Sequence, residues 1–585
     1  MLKLLKNLRA REWALAILAV AFIVLQVWMD LSIPDYMSQI TMLVQTPGST
    51  MTDILMAGGK MLLFALGSLA SAVVTSVCAA KIAAEFGATL RGKLFRKVQA
   101  FSMEEIGQFS TASLITRSTN DVTQVQMLIV LGLQMLIKAP IMAVWAICKI
   151  SSKQWQWTMS TAVAVAVLLL VVIVCVLLVM PKFKRIQLLT DDLNRVTREN
   201  LNGLRVVRAY NATSYQEEKF AHANDALTST NLFAMRTMSL LMPSIQIVMS
   251  GLTLAIYWLG AVLIDAAGLP EKATLFAEMM VFSQYAVQVV MSFMMLVAIF
   301  IMMPRASVSA KRIRQVLDTP LTIHDGTRTD GLPGKAGEVT FRHVSFRYPD
   351  AEEYVLQDIS FTAKAGQTVA IIGSTGCGKS SVVNLIPRFY DVTEGEVLVD
   401  GVNVREYTQY ALRNKIGYVS QRATLFTGSI RSNVAYGDNG GPAPGTAEVA
   451  AAVDAAQAAD FVDALENTYD SYVAQGGTNL SGGQKQRLSI ARAIARKPEI
   501  FIFDDAFSAL DYKTDRKLRA ALTQVCGHAT RLIVAQRIGT IRDADQIIVL
   551  DQGRIVGQGR HDELMRDCEI YQQIALSQLS KEELA

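Results

Sequence analysis

The sequence predicts an α-helical membrane domain of six spans followed by a separate α/β domain. Two observations lead to this fold class. Apolar runs long enough to cross a membrane recur up to residue 303, and strand-like and helical segments alternate from residue 338 onward. The composition agrees, because 51% of the 585 residues are hydrophobic and 18% are charged, whereas a typical soluble domain carries about a quarter charged residues. Wholly soluble, collagen-like, disordered and small secreted classes are excluded.

Each of the six apolar segments can cross the roughly 30 Å hydrocarbon core of a bilayer. Lys138 is the single charge inside any of them, and residues 158–180 are almost entirely valine, leucine, alanine and isoleucine. The segments are residues 13–29, 61–80, 127–147, 158–180, 237–264 and 279–303. The first is not a cleavable signal, because it lacks a small-residue cleavage site and five more spans follow it. Residues 1–9 alternate leucine with basic residues, which indicates an interfacial amphipathic helix or, alternatively, an ordinary basic flank.

The distribution of basic residues sets the predicted orientation in the membrane. Basic side chains concentrate after the second and fourth spans, whereas the other loops are short and carry few. They are Lys81, Arg91, Lys93, Arg96, Lys97 and Arg117, and then Lys182, Lys184, Arg185, Arg195, Arg198, Arg205 and Arg208. Both termini and both long loops are therefore predicted to be cytoplasmic. Helical periodicity persists in the long loops, so we expect the spans to continue as helices into the cytosol.

Three ionisable residues, Asp30, Lys138 and Glu278, lie in or beside the spans. A buried charge in a membrane usually faces a cavity or a partner. For Asp30 and Glu278 we expect snorkelling or a helix–helix ion pair, and for Lys138 an ion pair and a substrate contact both stay open. The sixth span is rich in methionine, which suits a promiscuous apolar surface, although packing accounts for most of these side chains. They are Met279, Met280, Met291, Met294, Met295, Met302 and Met303.

A composition change divides the chain into a membrane domain (residues 1–320), a linker rich in glycine, proline and aspartate (321–337) and an α/β domain (338–585). The net charge of +5 is too small and too dispersed to indicate nucleic-acid binding. The cysteines are scattered and form no CxxC pair, which indicates reduced or buried thiols rather than disulfides or zinc. They are Cys78, Cys148, Cys175, Cys377, Cys526 and Cys568.

The strongest motif is a complete G-x4-G-K-S between a predicted strand at residues 368–372 and a predicted helix at 381–388. It comprises Gly373, Ser374, Thr375, Gly376, Cys377, Gly378, Lys379 and Ser380, and Ser381 follows at the start of the helix. In this context the backbone N–H groups wrap a phosphate, Lys379 reaches the β and γ oxygens, and the Ser380 hydroxyl ligates Mg²⁺. We therefore predict a site for ATP and Mg²⁺.

Two further segments complete this chemistry. A buried apolar strand from residue 500 ends in Asp504, which we expect to hold Mg²⁺. Leu480-Ser481-Gly482-Gly483-Gln484 precedes a basic helix, and its backbone at a helix N-terminus makes a second anion site. Two phosphate-binding elements in one domain make sense if two such domains sandwich ATP and each lends this loop to the other.

With these motifs the chain resembles the ATP-binding-cassette (ABC) exporters over essentially its whole length, in the type IV, multidrug-type half-transporter layout. The resemblance implies that Tyr348 stacks on adenine and that Gln421, in the Q-loop, touches Mg²⁺. It also implies that Ser481, Gly482, Gly483 and Gln484 form the signature, which binds ATP in trans, and that residues 508–511 form the D-loop. Short coupling helices are implied near residues 102–108 and 211–218.

Two positions depart from the family pattern. The catalytic glutamate expected after Asp504 is Asp505, and the switch histidine is Gln536. An aspartate is one methylene shorter and withdraws its carboxylate by about 1.5 Å, and a misplacement near 1 Å can cost about a hundredfold in rate. A glutamine donates a hydrogen bond but carries no charge and shuttles no proton. Gln475-Gly476-Gly477 also stands where many relatives carry Glu-Arg-Gly.

These departures predict a site that binds ATP well and hydrolyses it poorly. Because the signature is intact, the resemblance implies the degenerate-site subunit of a bacterial heterodimeric exporter in the cytoplasmic membrane. Its partner is a second half-transporter with the consensus glutamate and histidine, and its cargo a hydrophobic or amphipathic small molecule. The alternatives are a homodimeric lipid or peptide exporter, an exporter-fold importer of siderophore complexes, and a non-transporting regulator or sensor.

Overall fold

The computed structural model describes residues 6, 8–46, 48–151 and 153–578. Packing divides the chain into two compact units, one of Met1–Lys97 with Thr111–Asp318 and one of Val98–Ser110 with Thr319–Ala585. The segment Val98–Ser110 lies between membrane helices in the sequence and nevertheless packs with the second unit. The interfacial helix predicted at residues 1–9 falls mostly outside the described residues.

Among the described residues, the first unit contains six helical stretches long and apolar enough to cross a membrane, which confirms the predicted spans. The elements are α1 (Ala10–Gln45), α2 (Met51–Gln99), α4 (Thr111–Thr116), α5 (Val122–Gly132), α6 (Lys138–Ser151), α7 (Trp155–Asn202), α8 (Leu204–Ala209), α9 (Thr213–Ser239), α10 (Leu241–Ala266) and α11 (Leu269–Asp318). The third stretch combines α4, α5 and α6 through two π-helical turns. Helix α11 packs against α1, α5, α6 and α10.

The long helices extend beyond the thickness of a bilayer. Helix α7 has 48 residues, about 72 Å at 1.5 Å per residue, which agrees with the expected continuation past the hydrocarbon. A short helix, α3 (Met103–Gln108), is present where one was predicted, and Ser102 caps it by accepting from the Glu104 N–H at 3.2 Å. The second short helix lies earlier in the chain than the predicted residues 211–218. It is α8, which lies between Gly203 at the end of α7 and Asn211, with φ +51°, before α9.

The ionisable residues of the spans are paired with one another. Asp30 forms an ion pair with Lys138 at 3.2 Å and accepts a hydrogen bond from Ser68. Lys153 lies 2.8 Å from Glu278. The first pair joins α1 to α6, which is the helix–helix pairing expected for Asp30. The second joins Glu278 of α11 to Lys153, which lies in the segment between α6 and α7. Paired charges leave the surrounding surface close to neutral, as a low-dielectric environment requires.

We expect Asp30→Asn to lower the free energy of unfolding by about 2 kcal/mol, between the cost of breaking a buried ion pair and that of a surface pair. Both side chains are about one-fifth exposed, so Lys138 would keep a poorly solvated charge. Thermal unfolding of the detergent-solubilised protein measures the effect. The double variant Asp30→Asn with Lys138→Met should recover much of the loss, and Asp192→Asn, in an exposed pair with Arg195, should change little. Unchanged unfolding of Asp30→Asn contradicts the prediction.

The second unit is built on two sheets. Their strands are β1 (Val339–Phe346), β2 (Leu356–Ala363), β3 (Thr368–Gly373), β4 (Glu394–Val399), β5 (Val402–Asn403), β6 (Ile416–Val419), β9 (Ile500–Asp504), β10 (Thr530–Val534), β11 (Gln546–Asp551) and β12 (Arg554–Gly559), with β7 (Gly428–Ser429) and β8 (Tyr472–Val473) forming a small ribbon. One sheet has the order β12-β11-β3-β10-β9-β6 and is parallel apart from β12. The other, β2-β1-β4-β5, is antiparallel.

Helices cover both faces of the mainly parallel sheet. They are α12 (Lys379–Leu385), α13 (Gln409–Asn414), α14 (Ile430–Val434), α15 (Thr446–Ala455), α16 (Ala459–Val462), α17 (Gly482–Ala495), α18 (Tyr512–Val525), α19 (Ile538–Ile541), α20 (His561–Asp567) and α21 (Glu569–Gln578). Alternate residues of β3 enter opposite cores, Ala370 and Ile372 on one face and Val369 and Ile371 on the other, as the two-residue period of a strand dictates. Burial on both faces explains why β3 and β9 are apolar over residues 369–372 and 500–503.

The topology brings the predicted site residues to one edge of this sheet. The G-x4-G-K-S loop follows β3, Gln421 follows β6, Asp505 follows β9 and Gln536 follows β10. Because these strands are parallel, their carboxyl ends meet at the same edge, where open α/β sheets bind ligands. All six cysteines lie within the described residues and are free thiols, as predicted.

Candidate nucleotide site

The loop between β3 and α12 turns tightly and exposes its backbone. Gly376 and Gly378 have φ of +85° and +99°, a region that glycine adopts without strain. A Cβ at Gly378 would lie 2.7 Å from Leu356 Cδ2, whereas one at Gly376 would meet nothing within 4 Å. Gly378 caps α12, which begins at Lys379 and ends at Leu385, earlier than predicted. The loop therefore forms an open cradle at a helix N-terminus, the arrangement that binds phosphate.

Two side chains of this motif take up positions suited to a nucleotide. Lys379 Nζ donates to Gly373 O at 2.8 Å and to Ser374 O at 2.7 Å, which folds the ammonium group back over the loop. Ser380 Oγ donates to Asp504 Oδ1 at 2.8 Å. The loop that follows β3 and the end of β9 thus meet through Ser380 and Asp504, although 124 residues separate them.

These oxygens are chemically suited to a magnesium ion. Mg²⁺ prefers hard oxygen ligands and is usually bound by one or two protein oxygens together with substrate phosphates. Ser380 Oγ and Asp504 Oδ1 are already adjacent, and Gln421, whose Nε2 is used as a donor, keeps its carbonyl oxygen for a metal. Within the part of the chain that the structure describes, no group of three or more His, Cys, Asp or Glu could hold a metal. The donor set therefore fits a magnesium ion that arrives with a nucleotide.

Burial raises the pKa of the Asp504 carboxyl, and the neighbouring Asp505 charge raises it further, while the hydrogen bond from Ser380 lowers it. Asp504 is buried among the apolar side chains of β9. Its negative charge is therefore poorly solvated in the protein alone, and a cation beside it would favour the ionised form. A bound cation would therefore stabilise this site.

The two positions that depart from the family pattern contact each other. Gln536 Nε2 donates to Asp505 Oδ2 at 2.9 Å, and Gln421 Nε2 donates to the same oxygen at 3.2 Å. Asp505 adopts φ +51° and its N–H donates to Val534 O at 3.0 Å, so its backbone is held by the neighbouring strand. Two amide N–H groups thus converge on one oxygen of Asp505, and both come from glutamine side chains, which carry no charge.

The remaining predicted residues lie in two places. The Tyr348 hydroxyl is 2.9 Å from Ser381 Oγ, which brings this aromatic side chain to the helix that follows the glycine-rich loop. Ser481 and Gln484 form a capping box at the start of α17, with Ser481 Oγ accepting from the Gln484 N–H at 3.3 Å. Among the described residues, no hydrogen bond joins residues 481–484 to residues 373–381.

The segment before the signature explains one departure locally. Gly476 and Gly477 have φ of +66° and +65°. An arginine at position 476 would adopt a left-handed conformation at some cost, whereas glycine does so freely. Glycine here relieves backbone strain in the turn that leads to α17.

Sequence reasoning missed two residues that hold the loop carrying Gln536. Gln578, at the end of α21, donates from Nε2 to Gln536 O at 2.7 Å and accepts from the Ile538 N–H at 2.9 Å. Arg537 donates to Ser508 O at 3.3 Å and to Leu510 O at 3.5 Å. The Gln578 contacts span about 40 residues of sequence, so no local pattern signals them. Arg537 could have been noticed as the residue beside the switch position.

Comparison with known families identifies both halves of the chain. Residues 16–293 match the family described as ABC transporter transmembrane region, and residues 356–508 match the family described as ABC transporter. Among solved structures, a bacterial Atm1-family ABC exporter with ATP bound is similar with a TM-score of 0.78 and 25% identity, covering 95% of this chain and 96% of that one.

Individual relatives extend the similarity over most of the chain. An uncharacterized ABC transporter ATP-binding protein of Mycobacterium bovis is 42% identical over 85% of this chain and 84% of its own length. The ABC transporter ATP-binding protein YfiB of Bacillus subtilis, also uncharacterized, is 35% identical over 88% of both. An ATP-dependent lipid A-core flippase of Pseudomonas fluorescens is 34% identical over 81% of this chain and 78% of its own length.

Proposed function

The chain belongs to the ABC exporter family, and we propose that it is one half of a heterodimeric exporter whose own ATP site hydrolyses poorly. The observation that carries the proposal is the contact between Asp505 and Gln536, the two residues at the positions of the catalytic glutamate and the switch histidine. In this proposal the chain binds Mg-ATP at its own glycine-rich loop and Asp504, and most hydrolysis occurs at the partner's site.

The geometry around Asp505 supports weak hydrolysis. A general base must reach the water whose proton it takes and have an oxygen available to accept that proton. Asp505 Oδ2 already accepts two amide N–H groups, and the side chain is one methylene shorter than glutamate. Gln536 cannot carry the positive charge that a histidine brings to a developing phosphate charge. Both features reduce catalysis without disturbing the cradle that binds the phosphates.

The intact signature supports pairing with a different chain. Ser481 and Gln484 form the capping box at the N-terminus of α17, and the backbone of Gly482 and Gly483 follows. A homodimer would contain two weak sites. With a partner that has the consensus glutamate and histidine, these four residues would instead complete a competent site on that partner. The asymmetric pair thereby retains one strong site.

The proposed mechanism is alternating access driven by the two ATP sites. Gly373–Ser381 would bind the phosphates, Tyr348 the adenine, and Ser380, Asp504 and Gln421 the magnesium ion. Bound Mg²⁺ neutralises charge on the β and γ oxygens. ATP binding would close the two cassettes and tilt the helices outward, and hydrolysis at the partner's site would reset them. ATP at this chain's site would stay bound over many cycles.

The membrane unit favours hydrophobic or amphipathic cargo carried outward across a bacterial cytoplasmic membrane. Asp30 is paired with Lys138 and Glu278 with Lys153, so no isolated charge among these residues invites a charged cargo. In α11, which carries the methionine-rich sixth span, Met291 and Met303 are about half exposed. Flexible thioethers adapt to apolar molecules of different shapes.

We expect Asp505→Asn to leave ATP turnover of the assembled heterodimer within about twofold of the unaltered complex, because this carboxylate contributes little to hydrolysis. The matched substitution of glutamine for the partner's catalytic glutamate, the equivalent of Asp505, should lower turnover by about a hundredfold or more. Phosphate release from the reconstituted complex measures both. A near-total loss of turnover in Asp505→Asn contradicts the proposal.

A second candidate is export of a lipid by a homodimer, and the lipid A-core flippase relatives favour it. Purifying this chain alone separates the two candidates. Vigorous ATPase activity of the isolated chain, abolished by Asp505→Asn, supports the homodimer. The heterodimer is supported if the isolated chain has weak ATPase activity and strong activity is seen only when a second half-transporter is present. Flux measured in vesicles that contain both subunits then gives the direction of transport.

A further inference from the structure

We propose that Gln578 is a positioning residue that holds the switch loop of this chain's ATP site. This inference rests on the proposed role of Gln536 beside ATP. The switch loop is defined here as residues 535–537, between β10 and α19. Gln578 is the last residue of α21, and both polar atoms of its side-chain amide bond to backbone groups in or next to this loop. This C-terminal helix is otherwise remote from the glycine-rich loop in the sequence.

The amide of Gln578 binds the peptide groups on both sides of Arg537. It donates to Gln536 O at 2.7 Å and accepts from the Ile538 N–H at 2.9 Å. Within the described residues, these are the hydrogen bonds that Gln536 O and the Ile538 N–H make. A neighbouring parallel strand would hydrogen-bond to this same pair, the C=O of one residue and the N–H of the residue two positions later. Beyond the end of β10, the Gln578 side chain makes these two bonds in place of a strand. Without Gln578, both groups would depend on water.

Helix α21 is anchored firmly enough to act as a support. Tyr571 and Ala575 are fully buried on the face of the helix that also carries Gln578, because positions three and four residues apart lie on one side of a helix. The Tyr571 hydroxyl lies 2.8 Å from Nδ1 of the buried His561. The backbone position of Gln578 is therefore set by core packing, and the exposed switch loop is held against it.

Two side chains of the switch loop depend on this backbone position. Gln536 donates to Asp505 Oδ2, and Arg537 donates to the D-loop carbonyl groups of Ser508 and Leu510. Moving the loop backbone would change both contacts at once. Gln578 thus acts through Gln536 and Arg537, and touches neither Asp505 nor the glycine-rich loop through any hydrogen bond of the described residues.

The test uses the full transporter and two readouts on this chain. Hydrogen exchange of the peptide that contains the Ile538 amide reports the switch loop directly. The rate of nucleotide release from this chain's own site is the second readout. The transporter is loaded with 8-azido-ATP and Mg²⁺ and chased with unlabelled ATP, and photolabelling of this chain then shows how much nucleotide remains bound. Gln578→Met keeps the length of the side chain and removes both hydrogen bonds. We expect about tenfold faster exchange and about tenfold faster nucleotide release, which is the size of effect that the loss of one to two hydrogen bonds produces.

Two further variants separate positioning from general stability. Gln578→Glu keeps the acceptor for the Ile538 N–H and replaces the donor to Gln536 O with a carboxylate oxygen, so its exchange and release should lie between those of Gln578→Met and the unaltered chain. Gln573→Met removes an exposed glutamine of the same helix whose amide donates to Glu569, and it should behave like the unaltered chain in both readouts.

Three results would overturn the inference. One is unchanged exchange of the Ile538 peptide in Gln578→Met. Another is faster exchange with unchanged nucleotide release, which would make Gln578 a cap of the loop and nothing more. The last is an equal effect of Gln573→Met. All readouts concern this chain's own site, so they stand whether or not Asp505→Asn leaves turnover intact, and failure of the heterodimer proposal is recognised separately.

Discussion

Gly482→Asp is expected to lower ATP turnover of the proposed heterodimer by about a hundredfold, although it alters nothing in this chain's own glycine-rich loop or at Asp504. Gly482 is the first residue of α17, inside the signature that would bind the phosphates of ATP on the partner. An added carboxylate would face the same phosphate charge that the helix N-terminus attracts. Two like charges about 5 Å apart at an effective dielectric constant of 20 repel by about 3 kcal/mol, which is roughly a hundredfold in rate.

The substitution is chosen because the fold should tolerate it. A Cβ at Gly482 would meet nothing within 4 Å, and a carboxylate in the first turn of a helix stabilises the helix. Gly482→Ala is the matched control, and it should keep most of the turnover because it adds bulk without charge. Phosphate release by the reconstituted pair measures turnover, and photolabelling of this chain with 8-azido-ATP should be unchanged. Full turnover in Gly482→Asp would contradict the trans role of the signature.

Lys379→Ala is expected to weaken ATP binding at this chain's own site by about a hundredfold. Its ammonium group donates to Gly373 O and Ser374 O and lies over the cradle, where phosphate oxygens would replace these carbonyl groups as partners. A hydrogen bond to a charged group contributes about 1.5–3 kcal/mol, so the loss of one or two such bonds amounts to about 3 kcal/mol. The partner's site is not altered, so turnover should fall without disappearing.

Fluorescent nucleotide titration of the purified chain measures this loss of affinity. Lys364→Ala is the matched control, because Lys364 is an exposed lysine in the turn between β2 and β3, and this variant should bind ATP normally. If Lys379→Ala bound ATP with unchanged affinity, the glycine-rich loop would not be the nucleotide site. If it abolished all turnover of the complex, the partner's site would not work independently of this chain's nucleotide.

The elements that could be predicted from the sequence are those whose structure depends on residues close together in the chain. A membrane span needs only about twenty consecutive apolar residues, so residues 158–180 predicted the membrane-crossing part of α7. Residues 369–372 and 500–503 are continuously apolar because both faces of the sheet are covered. The G-x4-G-K-S motif is recognisable because glycine at positions 376 and 378 answers a local need for positive φ.

Other features could not be read in this way. The short helix in the second long loop is Leu204–Ala209 rather than residues 211–218, which the family resemblance had implied. Asn211, with its positive φ, separates this short helix from the long helix that begins at Thr213. The pairing of Asp30 with Lys138 joins helices 108 residues apart, and the sequence left ion pairing and substrate contact equally open for that lysine. Helix α3 packs with the second unit, which its place between two membrane helices does not indicate.

By itself the sequence determined the class of this protein: six membrane spans, a phosphate-binding loop, and an aspartate and a glutamine where the family has glutamate and histidine. The arrangement of those residues follows from the tertiary structure. It brings Gln421 and Gln536 onto one oxygen of Asp505, and it sets Gln578 against the switch loop about 40 residues away. The reason is physical: composition and short-range backbone preferences act between neighbours in the chain, whereas these hydrogen bonds exist only after parallel strands place the ends of β6, β9 and β10 at one edge.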